Sequence, residues 1–180
     1  MLKNVWQILI LVVAISFLAL LQFSFVSSLP NPFRQINLLL IILVFILFFL
    51  DFRVASISAL VAGFWLDVMS FNFFGFYIII FFICLLLAEW ILKNWLTNRS
   101  FYSLLVIMVS TTFFYNILAA AVLYIFSTDY TVFFLWQKNF WLTVAYQSIW
   151  SFLLALILFN LAALISKRIK PSFLEKKSFM

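Results

Sequence analysis

Asp67 is the residue here with the most chemistry to offer: an acid near the end of an apolar run, Val54 to Met69, in a chain that has five acids. An ionised carboxylate within hydrocarbon costs roughly 2.5–3.5 kcal/mol on insertion scales, so such a group must be buried in protein or held at an interface. Two readings stand side by side: a ligand-binding or anchoring acid, and an interfacial acid capped by headgroups or water. Glu89 precedes Lys93 by four positions, the favourable order for a helical ion pair. Tyr115 and Asn116, with Ser110-Thr111-Thr112, lie inside another apolar run, and Gln147 inside a third. Polar groups so placed join helices by hydrogen bonds more often than they bind a ligand.

What is missing narrows the chemistry further. The chain has no His and one Cys, Cys84, which sits among Phe81, Phe82, Ile83 and Leu85 as a small apolar filler. Imidazole and thiolate metal sites, disulfides and His-based acid–base catalysis are therefore excluded within the chain. No metal and no cofactor is expected. Asp67 and Glu89 fall near opposite membrane faces, so no pair of acids converges and an intramembrane hydrolase is not expected. A lone Asp67 near a surface is also a poor proton relay.

The elements that carry these residues follow from composition. Of 180 residues, 68% are hydrophobic and 9% charged, against about 25% charged in an average soluble domain. Phe alone supplies 26 residues, more than an aqueous core of this length hides. The chain reads as an all-α integral membrane protein with six transmembrane helices, one polytopic domain over 1–180. Six helices of about 20 residues use about 120 positions and leave no room for a soluble domain. Continuous apolar runs exclude an outer-membrane barrel.

The runs cover about 5–26, 36–50, 54–69, 74–92, 101–126 and 140–165, followed by a basic tail, 166–180. The first run is too long for a cleaved signal and reads as an anchor helix. Only Asp51-Phe52-Arg53 separates the second and third. A single helix through both would be about 50 Å long, so they must fold back on each other. Each arm is short, and whether both cross fully is open at this level. Trp136, Tyr130 and Trp141 suit an interfacial aromatic belt.

Loop charge sets the direction. With a cytoplasmic N-terminus, nine of the 11 basic residues lie inside: Lys3, Arg53, Lys93, Arg99, Lys167, Arg168, Lys170, Lys176 and Lys177. Arg34 and Lys138 lie outside. That split predicts both termini cytoplasmic. It also explains the net charge of +6: the tail meets anionic lipid headgroups, each basic residue contributing on the order of 1 kcal/mol. No nucleic-acid partner is expected.

The third run carries a ridge of small residues. Ala55, Ala59, Gly63 and Asp67 are spaced by four, with Ser58, Ala62 and Ser70 on the same face. Such spacing lets helix backbones approach closely, in packing within the chain or against a partner's span. Ile57, Leu60, Val61, Phe64 and Val68 form the opposite face. The segment from Gly63 to Tyr77, GFWLDVMSFNFFGFY, holds the only two glycines. Gly75 suits a tight turn, Ser70 and Asn72 could satisfy backbone groups there, and Asp67 could accept hydrogen bonds from the following helix start.

This segment, with a glycine, three residues, an aspartate, a short polar turn, then a glycine and an aromatic before the next span, resembles the signature of the rod shape-determining protein MreD family. Length and six-span hydropathy agree. The resemblance implies a non-catalytic scaffold of cell-wall elongation in the bacterial inner membrane. It further implies an MreC-like bitopic partner, with MreB, RodA and its transpeptidase as neighbours. A second reading is the substrate-binding membrane subunit of a vitamin transporter of the energy-coupling-factor type. That family has similar size and span number, and Ala55-x-x-x-Ala59 fits its docking pair. Such a site needs convergent polar groups, for which Asp67, Asn116, Tyr115 and Gln147 are the candidates.

Overall fold

The computed structural model describes residues 2–30, 33–70, 73–95, 100–126 and 138–168. Every regular element among them is helical: α1 (Leu2–Ser24), α2 (Leu38–Phe49), α3 (Phe52–Met69), α4 (Phe76–Asn94), α5 (Phe101–Phe126) and α6 (Lys138–Arg168), with 3-10 turns at Val26–Ser28 and Phe33–Gln35. Expectations attached to Asn72, Arg99, Tyr130, Trp136 and the basic tail beyond Arg168 lie outside the described residues. Helix ends follow local chemistry. Leu29 is extended ahead of Pro30, and the Asn37 side chain caps α2 by accepting from the Leu40 N–H at 3.1 Å.

Five helices among the described residues are long and apolar enough to cross a membrane. The protein is thus all-α and multi-pass. The exception is α2, whose 12 residues span about 18 Å, well short of a ~30 Å hydrocarbon core. Its burial shows why a short helix suffices. Leu39, Leu40, Ile41, Leu43, Val44, Leu47 and Phe48 form a broad face covering more than half of α2 and are each at most 3% exposed. A helix that is apolar all round belongs inside a bundle. α2 packs against each of the other five helices, which neighbour one another in the order α1, α3, α4, α5, α6.

The fold-back at Asp51 is present: α2 ends at Phe49, α3 starts at Phe52, and the two pack together. The two faces of α3 separate as their residues require. Ala55, Ser58, Ala59, Ala62, Gly63, Leu66 and Asp67 are buried, whereas Ile57, Leu60, Phe64 and Val68 are exposed. On α1, Trp6, Ile10, Val13 and Phe17 form another outward apolar stripe. Cys84 is fully buried as a free thiol in the core.

Candidate functional site

The signature segment folds into a corner between α3 and α4, built around Asp67. Its carboxylate is 4% exposed and accepts three backbone N–H groups: Tyr77 at 2.7 Å, Gly75 at 3.0 Å and Ile78 at 3.4 Å. The first N–H groups of a helix have no partner within it, and an N-cap side chain normally serves them. In α4 the N-cap is Gly75, which has no side chain to offer. Asp67 supplies the cap from the preceding helix, its negative charge at the positive end of the α4 dipole. Gly75 turns the chain with φ of 98°, the left-handed region that suits glycine. Asp67 is therefore a structural acid that fixes the start of α4.

Gly63, one turn earlier, sets how close the two helices lie. A Cβ built there would stand 2.6 Å from the Ile78 Cα and 2.7 Å from its nitrogen. Only a residue without a side chain fits that crossing. The ridge of Ala55, Ala59, Gly63 and Asp67 is thus a helix-packing face, and it is occupied by the chain's own helices. Ala55 and Ala59 are 0% exposed. Of the two uses the spacing leaves open, packing within the chain and packing against a partner's span, the chain's own helices fill this face, because spacing alone does not say whose helix occupies the groove. The role expected of Ser70 also changes. Its hydroxyl is buried with no hydrogen-bond partner among the described residues, and Asp67 satisfies the turn instead.

Tyr115, Asn116 and Gln147 do come together, where α5 meets α6. The Asn116 amide donates to Gln147 Oε1 at 2.8 Å and to the Thr112 carbonyl at 2.8 Å. One turn away, the Thr112 hydroxyl lies 3.1 Å from that of Ser151. This ladder ties two antiparallel helices with paired positions four apart on each. The Tyr115 ring stacks on Phe81 of α4, with centroids 5.9 Å apart.

Gln147 and Tyr115 also line a recess of about 310 Å³ at this end of the bundle. Its other polar walls are Gln22, Ser27, Arg34, Gln35, Asn37 and Tyr77, none of which the sequence marks as a site. Gln22 clamps the rim, donating to the Ile36 carbonyl and accepting from the Leu38 N–H, both at 2.8 Å. Phe33 packs on Trp150 of α6 with ring centroids 4.8 Å apart. The turn carrying Arg34 and Gln35 is therefore pinned to α1 on one side and α6 on the other. Their only sequence signal is position, polar residues at the edges of apolar runs.

At the opposite end, Glu89 and Lys93 form the expected i,i+4 pair at 2.7 Å. Asp51 and Arg53 stand near them around another cavity, of about 510 Å³. No group of three or more potential metal ligands occurs among the described residues. Trp141, the described member of the expected aromatic belt, is half exposed and faces Phe113 at 6.3 Å. Comparison of the chain with protein-family models, with curated proteins and with solved structures finds no match in any of the three.

Proposed function

We propose that the chain is a non-catalytic membrane scaffold of bacterial cell-wall elongation, with six helices in the cytoplasmic membrane, the short α2 among them, and both termini inside. The observation that carries this reading is the Asp67 corner. The segment that resembles the MreD signature is employed in architecture: the aspartate caps α4, one glycine sets the helix crossing and the other turns the chain. With Asp67 bound to backbone N–H groups and Glu89 paired to Lys93, neither described membrane-segment acid is left for acid–base chemistry. Partner binding then falls to the outward apolar faces of α1, α3 or α5, against which a single span of an MreC-like protein would lie. Such packing is lateral and non-catalytic. MreB, RodA and its transpeptidase are the further neighbours on this reading, and anionic lipids meet the tail.

The test is affinity capture of the full chain in mild detergent. Recovery of a bitopic protein with a coiled-coil extramembrane region supports the scaffold. Isolation of the chain with a tightly bound vitamin would replace it with the transporter-subunit reading. The convergence of Tyr115 and Gln147 on a recess favours that second reading, while the burial of Ala55 and Ala59 opposes it.

A further inference from the structure

The recess beside Tyr115 is lined mostly by polar residues, lies at a defined depth and, among the described residues, carries one sign of charge. Leu66, in the last turn of α3, and Tyr77, in the first turn of α4, both line it. The 18 residues of α3 span about 27 Å, close to the hydrocarbon thickness of a bilayer. The recess therefore sits at the boundary between acyl chains and headgroups. Among the described residues, Arg34 is the only charged one on its wall and no carboxylate lines it, since Asp67 is turned to the start of α4. A cation is disfavoured there and an anion favoured. Within the wall, the Gln35 Oε1 is buried and has no hydrogen-bond partner among the described residues. Such an acceptor needs an O–H or N–H brought to it, and an acyl chain alone would leave it unsatisfied.

We infer that this recess binds a phosphate monoester or diester carrying neighbouring hydroxyls, of the glycerol-phosphate type. The phosphate meets the Arg34 guanidinium, a fork suited to phosphate oxygens. A ligand hydroxyl donates to Gln35 Oε1. Its volume of about 310 Å³ falls at the small end of ligand sites. The same chemistry has two sources, the headgroup of phosphatidylglycerol and free glycerol phosphate. This inference is independent of the scaffold reading, which concerns the outer faces of the helices.

Native mass spectrometry of the full chain in neutral detergent tests it, with phosphatidylglycerol and phosphatidylcholine of matched acyl chains as probes. A thermal-shift titration with sn-glycerol 3-phosphate provides the second arm. Phosphatidylglycerol is expected to be retained over phosphatidylcholine, which has the phosphate but no hydroxyls. Arg34→Gln and Gln35→Leu are each expected to weaken that retention about tenfold, with Arg34→Lys intermediate and Lys93→Gln, at the other end, without effect. Stabilisation by the soluble ester, lost in the same variants and without lipid preference, assigns the free molecule as the source. Arg34 is exposed, so its replacement leaves the fold intact. A lipid preference that survives both Arg34→Gln and Gln35→Leu reports the basic tail and overturns the inference, as does binding of neither probe.

Discussion

Gly63 and Ile78 meet backbone to backbone: a methyl group added to Gly63 would lie 2.6 Å from the Ile78 Cα. Two effects oppose each other in Gly63→Ala. Alanine is favoured over glycine within a helix by about 1 kcal/mol. Overpacking costs typically about 1–3 kcal/mol, and the upper end applies where the obstacle is main chain that cannot rotate away. The substitution is therefore expected to be destabilising. A lowered unfolding temperature in detergent checks it, and an unchanged or raised temperature would show that α3 and α4 part without penalty.

Asp67→Ala removes the acceptor for three backbone N–H groups at once. Each buried donor left unpaired costs about 1–3 kcal/mol. Asp67→Asn keeps one carbonyl oxygen but sets an amide N–H₂ against the remaining donors. Its loss should be smaller than that of Asp67→Ala, and membrane insertion should persist in both. Thermal unfolding of the two variants orders them. Equal stability of both with the parent chain would mean that water replaces the carboxylate.

The corner was legible in the sequence for a physical reason. Glycine is so scarce in this chain that each one marks a place where a side chain is excluded, and an intramembrane acid must find donors. The fold-back at Asp51 was legible from length alone. The filling of the ridge by α4 was not, because Ala55, Ala59 and Gly63 would be spaced identically for a neighbour in the same chain or in another. The central place of α2 was hidden in another way. A run apolar on every side reads the same whether it faces lipid or five helices, and only its 12-residue length tells against a full crossing. The recess is assembled from six segments, so no local pattern announces Gln22, Gln35 or Asn37.

Asn116 and Gln147 are expected to be coupled weakly. Interhelical hydrogen bonds in membrane proteins average about 0.6 kcal/mol in double-mutant cycles, since the unfolded chain finds other partners in lipid. A cycle of Asn116→Val and Gln147→Leu should return a coupling of that order. A coupling near zero would assign the α5–α6 contact to van der Waals packing alone.

Lys93 should matter less still. Its side chain is 71% exposed although it pairs with Glu89 at 2.7 Å. Exposed ion pairs are worth about 0–1 kcal/mol. Lys93→Ala should leave the unfolding temperature within about a degree or two, and a large drop would reveal a tertiary role for the α4 terminus.

Gln22 makes the sharpest regional prediction. Its side-chain amide serves both the Ile36 carbonyl and the Leu38 N–H, 14 and 16 residues away, and so holds the Phe33–Gln35 turn against α1. Gln22→Leu is close in size and leaves both main-chain groups unserved. Asn37 still caps α2 through Leu40, so the helix itself should survive. What loosens is the segment leading into it. Local opening needs only the contacts of that segment, which makes it cheaper than global unfolding. Hydrogen exchange should therefore rise at residues 34–38 while α4 and α5 keep their protection. Faster exchange throughout the bundle would instead make Gln22 part of the global core. No change at all would mean that the Phe33–Trp150 contact, with centroids 4.8 Å apart, suffices to hold the turn.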